Sequence, residues 1–595
     1  MKDFIKKLFS KEWKPGSFGK IDNTIKNFSI TEKSLFYFFA AVLALTVFIF
    51  LIKVSDLFLI EIPIRGGTLN EGVVGSPRFI NPILALNDAD RDLTSLIYSG
   101  LLKATPEGRL MPDLASDYNI SDNGLIYTFN IKANAKFHDD TDVTADDVVF
   151  TIQKLQDATL KSPKRASWDG ITVAKVSDKQ VTFTLKQPYS PFLENTTIGI
   201  LPRHIWKDAT SDEFPFSQLN IEPVGSGPYK VAEIKRDGAG LPVSYKLSPF
   251  NDYTLGAPFI ENLIIKFYAN NKALLDAYNA GGVDAINAIS PQNAVALKNK
   301  GVIVERTPLP RIFGVFFNQN EQAIFADKNV RQALNLAVDK DAILNKVFNG
   351  YGIVIDSPIP EGLKGKTAGY STFGTTTMSE KIAQAKNILW KDGYVANKDT
   401  GILEKVPKGK KVGAPLAFSI STVNSAELKS TAEMLQKMWG EIGAKVEVKI
   451  FEAGDLNQNV IRARKYDSLL FGEIIGRDLD LYAFWHSSQR NDPGLNIASY
   501  TNSKTDKILE EARTLSDFDE RSLKYQSFAT EIKNDVPAVF LYSPDFLYIL
   551  PPKVKGFEMN YITVPSERFL NINKWFINTE KVWRVFAKDK NQVTE

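Results

Sequence analysis

Residues 35–52 read LFYFFAAVLALTVFIFLI, eighteen positions without a charge and with Thr46 as the one clearly polar side chain. At about 1.5 Å per residue, such a run spans roughly 27 Å as a helix, close to the thickness of a hydrocarbon layer. The alternatives are a buried helix and a cleaved signal peptide. A signal h-region runs about 7–15 residues and ends on small residues. This run is longer and passes through Lys53 into the apolar LFLIEIP. The pattern predicts a retained transmembrane anchor over residues 35–60. The first 34 residues hold eight Lys against four acids, which puts the N-terminus in the cytoplasm as a short tail. The bulk, from about Pro63, then lies outside the membrane, in a periplasm or at a cell surface.

That bulk is near neutral, since the net charge of +3 resides in the N-terminal tail. It offers no basic footprint for nucleic acid. The chain has no cysteine, so disulfides, thiolate metal sites and a lipidated N-terminal Cys are all excluded. At 595 residues it is long enough for several domains. Strand-like alternation at Tyr127, Phe129 and Ile131, at Val181, Phe183 and Leu185, and at Val446, Val448 and Ile450 intermixes with helical patterns near 330–348 and 432–443. Such interleaving predicts an α/β protein of more than one lobe. Residues 361–412 read as surface loops around one helix, and the last dozen as a solvated tail.

The most acidic stretch is FHDDTDVTADDVVFT, Phe137–Thr151. A calcium loop beginning at Asp140 fails, because Ala145 stands where Gly belongs and Thr151 where Glu belongs. A zinc site would have one His and no second ligand at helical spacing. Thr144-Ala-Asp-Asp147 before the apolar Val148, Val149, Ile152 and Leu155 instead reads as a helix start. Thr144 is placed to cap first-turn N–H groups, with acids at the positive helix end.

The same stretch, KFHDDTDVTADDVVFTIQKL, resembles the most characteristic segment of the family-5 extracellular solute-binding proteins, the oligopeptide-, dipeptide- and nickel-binding receptors of ABC importers. It departs in carrying Asp140 where that family usually has Gly. Further blocks follow in the family's order: NPILALNDADRDLTSLIYSGLLKATPEGRLMPDLA, GSGPYKV (Gly225–Val231), FNQNEQAIFADKNVRQALNLAVDKDAI, SYTNSKTDKILEEA and NDVPAVFLY. The resemblance implies a two-lobed periplasmic-binding-protein type II-like fold of cluster C, with an extra subdomain, preceded here by one transmembrane helix. The implied order is lobe I at 61–100, the extra subdomain at 101–195, lobe I again at 196–311, lobe II at 312–541, and a return to lobe I with the tail at 542–595.

The resemblance also implies a ligand clasped between lobes by hinge closure, with peptides held through main-chain hydrogen bonds. A buried ligand ammonium needs an acidic partner. In peptide binders that is an Asp in a segment resembling G-W-x-x-D-x-x-D-P. The corresponding segment here is Phe471–Gln489. Its candidates are Asp478, which best matches the first Asp, and Asp480. Arg477 stands beside Asp478 and can neutralise it, which would leave Glu473 or Asp480 as the partner. Glu473 occupies the usual Trp position. Tyr482 and Trp485 are candidate wall residues, or else core. Arg331, in VRQALNLA, reads as a structural salt bridge or a ligand-carboxylate contact.

An anchored exoenzyme is the competing class. The chain has no G-x-S-x-G elbow and no H-E-x-x-H, and PEGLKGKT (Pro360–Thr367) lacks the first Gly of a phosphate cradle. The expectation is therefore a binding protein, not an enzyme, without metal or cofactor. It would act as a monomer that captures short peptides and passes them to an ABC permease and its ATPase. A sensor or surface interaction protein without transport is the alternative, as is a receptor for an oligosaccharide or metal chelate.

Overall fold

The computed structural model describes residues 25–287, 289–359, 377–406, 413–515 and 517–583. PEGLKGKT, both ends of the 361–412 segment and the last twelve residues lie outside these. The chain divides into two compact units, residues 1–64 with 579–595, and residues 65–578.

In the first unit a 29-residue helix, Ile30–Phe58, carries the apolar run. It begins five residues before the uninterrupted stretch because Thr31, Glu32 and Lys33 can head a helix, and the Glu32 carboxylate accepts the Ser29 N–H (2.8 Å). Ile30–Val54 is long and apolar enough to cross a membrane, and its side chains are exposed. The helix stops where Leu59–Ile64, expected in part as anchor, turns into a strand that pairs with Asn578–Trp583. Thr579–Trp583 groups with the N-terminal unit.

The second unit is organised by a twelve-stranded mixed sheet. Its order is Lys445–Phe451, Ala417–Val423, Ser468–Ile474, Arg311–Phe317, Ala538–Ile549, Ala285–Asn287, Thr68–Val74, Asn262–Tyr268, Pro242–Pro249, Tyr229–Arg236, with Glu305–Pro308 and Gly352–Val354 added on the long strand Ala538–Ile549. That strand belongs to both lobes. Up to Tyr542 it pairs with Arg311–Phe317, and from Asp545 with Glu305–Pro308. Pro544 lies between these two registers and is paired on the strand's other side with Gly352. The hinge therefore falls where the partner changes, tied by Leu309 N–H donating to Pro544 O (3.0 Å).

Each half has its own core. On the second lobe, Ala417–Val423, the helix Ala426–Glu441 and the parallel strand Lys445–Phe451 form a β-α-β crossover. The Ser425 hydroxyl caps the helix at Leu428 N (3.3 Å), and its inward Leu428, Ala432, Leu435 and Trp439 are buried. Val446 is buried but Ile450 is exposed, because this strand is the sheet edge. The expected helix over 330–348 is two, Lys328–Leu336 and Lys340–Phe348. Asp339 caps the second at Ala342 N (2.9 Å), and a capping Asp is a helix boundary even inside an apolar period.

In the first lobe, a four-stranded antiparallel sheet (Ala115–Ile120, Ile126–Ile131, Gln180–Thr184, Thr172–Ser177) buries Tyr127, Phe129, Val181 and Phe183 in a core continuous with Leu93 of the helix Asp88–Ile97 and Ile265 of the large sheet. The helix Ala145–Gln156 packs on it. Asp147 Oδ2 accepts both the Thr144 N–H and hydroxyl (2.8 Å each), and Asp147 Oδ1 accepts Arg203 N–H (2.8 Å). The acidic stretch is a cap. Asp140 has φ +68°, the left-handed geometry that favours Gly. Gly225 and Gly227 are required because a Cβ on them would lie 2.1 Å from Ile97 O and 2.6 Å from Ile97 C.

Candidate ligand-binding site

Ser468–Ile474 runs antiparallel to Arg311–Phe317, with Arg311 opposite Ile474 and Ile312 opposite Glu473. Beyond Ile474 the chain leaves the sheet, pinned by Ile475 N–H to Pro310 O (2.9 Å), and residues 476–482 meet the first lobe. Glu194 reaches this loop from the first lobe and accepts N–H bonds from Arg477 (3.2 Å) and Asp478 (3.1 Å).

The sequence-predicted residues divide into two groups. Arg477, Asp478, Asp480 and Tyr482 are brought together at the lobe junction. Arg477 Nη2 pairs with Glu567 Oε2 (2.7 Å) and its guanidinium lies 5.3 Å from the Tyr561 ring, both on the first lobe. Asp478 is taken not by Arg477 but by Arg521 (2.6 Å), which also donates to Ser190 Oγ. Asp480 pairs with Arg513 (3.1 Å) and accepts from Tyr189 OH (3.3 Å). The Arg513 guanidinium lies between the Tyr189 and Tyr482 rings, 4.9 and 4.3 Å from their centroids, a geometry worth up to about 2 kcal/mol when desolvated. Burial lifts the Asp478 carboxyl to about 6 against the opposing attraction of Arg521. Glu194 is raised too, by burial ahead of the Arg477 attraction.

Glu473 and Trp485 lie beneath the junction in the core. Trp485 is fully buried, against Phe316, Tyr500, Phe528 and Phe540. Of its two readings the structure supports core packing. Glu473 is 3% exposed, and neither of its oxygens makes a hydrogen bond among the described residues. Desolvation raises its pKa well above the carboxylate range. It is therefore held protonated, because an isolated carboxylate there would cost several kcal/mol. Among the described residues Arg331 makes no ion pair with an acid. It is buried and donates to the carbonyls of Phe325 (2.6 Å), Asp535 (2.7 Å) and Val536 (3.1 Å), an internal strut.

Sequence reasoning missed Arg513, Arg521, Glu194, Tyr189 and Glu567. Glu194 and Tyr189 meet partners almost 300 positions away, Arg513, Arg521 and Glu567 ones between 33 and 90 away, and an arginine on an amphipathic helix reads as solvated. Beside the clasp opens a cavity of about 380 Å³ lined by Ser167, Asp169, Lys186, Gln187, Tyr189 and Arg513 among others. A larger one, about 490 Å³, lies in the second lobe around the ion-paired Lys340 and Asp356 and shares no residue with the clasp. Among the described residues no group of three or more His, Cys, Asp or Glu is placed to hold a metal. His138, the histidine of the acidic stretch, is half-buried, meets Gly225 N and Gly227 O, and is pushed down to about 4 chiefly by desolvation.

Known proteins place this architecture. The oligopeptide-binding protein AppA of Bacillus subtilis is 29% identical over 529 residues, 87% of this chain and 92% of its own length. Its structure in complex with a nonapeptide superposes with a TM-score of 0.66 over 87% of this chain and all of that one, at 28% identity. NikZ of Campylobacter jejuni, solved with Ni(L-His), matches at 27% identity and a TM-score of 0.66, over 86% of this chain and 99% of its own. Heme-binding protein A of Haemophilus influenzae is 26% identical over 477 residues, 75% of this chain and 81% of its own. The family model described as "Bacterial extracellular solute-binding proteins, family 5 Middle" matches residues 109–494. The chain therefore belongs to the family-5 bacterial extracellular solute-binding proteins, substrate-binding components of ABC importers rather than enzymes.

Proposed function

We propose that this protein is a membrane-anchored receptor that binds short peptides between its two lobes and delivers them to an ABC permease and its ATPase. The observation that carries the reading is the match, over 87% of the chain, to a relative of the same fold solved in complex with a nonapeptide, joined to a hinge strand and a loop, 476–482, aimed at the lobe junction. Residues 61–311 and 542–578 form one lobe in this reading, with 101–195 as its extra subdomain and 312–541 as the other lobe. The Ile30–Phe58 helix holds the chain in the membrane with its N-terminus in the cytoplasm and the bulk outside, and the receptor works as a monomer. Ligand differentially stabilises the closed arrangement, and no bond is made or broken.

A second reading, a non-peptide solute, draws on the nickel and heme named for two relatives. Native mass spectrometry of the full-length protein, purified in detergent without refolding, separates them. A heterogeneous set of adducts that fragments into short peptides is expected. A single non-peptide adduct contradicts the peptide assignment and leaves the receptor.

A further inference from the structure

The apolar helix does not end in a free linker. Ile30–Val54 is long and apolar enough to cross a bilayer, and the helix runs one turn further, to Phe58. The chain then enters the strand Leu59–Ile64 directly, and this strand pairs with Asn578–Trp583. Phe58 stacks on Trp583, with 6.4 Å between ring centroids and 13° between planes, and the Thr579 hydroxyl meets a Glu61 carboxylate oxygen (3.5 Å). Phe58 opposite Trp583 and Glu61 opposite Thr579 make the ribbon antiparallel. It returns the C-terminal strand to the end of the apolar helix.

Helix geometry sets the depth at which the two rings lie. Phe58 follows Val54, the last residue of the span, by four positions, a rise of about 6 Å. The hydrocarbon core is about 30 Å thick and the whole bilayer about 40–45 Å, so the headgroup layer is roughly 5–8 Å deep on each side. With Val54 at the hydrocarbon boundary, Phe58 falls inside that layer, and its stacked partner Trp583 with it. Lys53, at the same boundary, is exposed, and its long stem lets the ammonium reach the lipid phosphates.

The side chains suit that position. Phe58 is 55% exposed, Trp583 47% and Ile60 39%, so three large apolar groups stand open on a ribbon of two strands, an element that is marginal by itself in water. An indole has a flat apolar body and one N–H, which matches a layer that is apolar on one side and wet on the other. Glu61, Glu580 and Lys581 leave the ribbon no excess of positive charge. Attraction to anionic lipid is therefore not what seats it, and the aromatic pair is.

We propose that this ribbon is a second membrane contact, in which Phe58 and Trp583 sit among the lipid headgroups and hold the C-terminal strand, as well as the N-terminal one, at the bilayer surface. The patch is continuous with the span, which makes the lipid interface its occupant. The inference rests on the membrane-anchored reading above. It joins the bulk of the chain to the membrane through two strands instead of one tether.

The test uses full-length protein in phosphatidylcholine vesicles that are plain, brominated high on the acyl chains, or brominated near the chain ends. Emission of the Trp583→Phe variant, a mild change at an exposed position, is subtracted from that of wild type, so the other tryptophans cancel and Trp583 remains. Shallow bromine should quench this difference about twofold or more, deep bromine less, and aqueous acrylamide only weakly. Leu45→Trp, made in the Trp583→Phe background and read by the same subtraction, reports the middle of the span and should be quenched most by deep bromine. Trp583 quenched by acrylamide and by neither bromolipid, while the probe at position 45 responds to deep bromine, overturns the ribbon contact and leaves the anchor. Trp583 shielded from acrylamide and from both bromolipids overturns it too, because protein then covers the ring. No bromolipid quenching at either position overturns the contact and the anchored reading together.

Discussion

Arg568→Met tests how the first lobe is held at its centre. Arg568 is fully buried and donates to Asp92 Oδ1 (2.8 Å) and Oδ2 (2.5 Å), Glu71 Oε1 (2.8 Å) and Pro565 O (2.8 Å), with the Phe569 ring 4.1 Å from its guanidinium. Tyr548 on the long hinge strand donates to the other Glu71 oxygen (2.6 Å). One cation therefore balances two carboxylates that solvent does not reach, and burial still raises both carboxyls above their ordinary values despite it. Removing the cation should cost about 3–5 kcal/mol at pH 7.5. In a unit this large that corresponds to a Tm lower by roughly 5–10 °C. The stranded carboxyls then take up protons in the folded state that they do not hold when unfolded. Protonation is favourable to the folded state below the raised pKa and its benefit is lost as pH rises, so the deficit should shrink on going from pH 7.5 to 5. Scanning calorimetry at the two pH values, with ligand content matched, measures it. The combination Arg568→Met, Glu71→Gln, Asp92→Asn should recover most of the loss, as it leaves no buried charge. A single-variant Tm within about 1 °C of wild type, or a deficit that does not shrink at pH 5, would refute the electrostatic account.

Three other expectations concern the junction and its supports. The Asp478 carboxyl is raised to about 6 against an ordinary value near 4, so its contribution favours folding below about pH 4 and is lost as pH climbs to about 6, on the order of 3 kcal/mol in all. Asp478→Asn should flatten that part of a Tm–pH profile, and an unchanged slope would count against the burial assigned to it. Gly225→Ala drives a methyl into Ile97 O, 2.1 Å away. Backbone must move, and a loss of at least about 2 kcal/mol is expected in urea titration. Trp485→Ala should cost about 3–5 kcal/mol and lower Tm in the presence and absence of peptide alike. An affinity loss without a stability loss would instead return Trp485 to the ligand wall.

Much of the fold was legible wherever one local pattern decides it. An uninterrupted apolar run of this length reads as a helix from its own residues, and Thr144 with Asp147 reads as a cap because both partners lie within one turn. Ordered motif blocks carried the family, and with it the two lobes. The break between Leu336 and Lys340 was hidden, because the apolar period continues across it and Asp339 is equally plausible on a helix surface. The candidate site was half legible. The loop was found, but the state of its acids depends on Arg513 and Arg521 from a later helical hairpin and on Glu194 from the far lobe. No spacing rule reports a pair made through tertiary packing. That Glu473, a candidate ammonium partner, and Trp485, a candidate for wall or core, are both buried was hidden for a similar reason, since it depends on packing from other elements. Arg568, which settles the first lobe, gave no signal in a segment of short turns.

The central claim, a hinge-closing peptide receptor, is tested most directly by the distance between its lobes. The chain has no cysteine, so Lys207→Cys and Glu433→Cys, both at exposed positions on opposite lobes, can carry a single pair of spin labels in the full-length protein. Pulsed electron–electron resonance should show a broad or longer distance distribution after ligand is stripped, collapsing to one shorter distance when a random hexapeptide pool is added back. A distribution that peptide leaves unchanged, in a sample whose peptide binding is verified by mass spectrometry, would contradict the account.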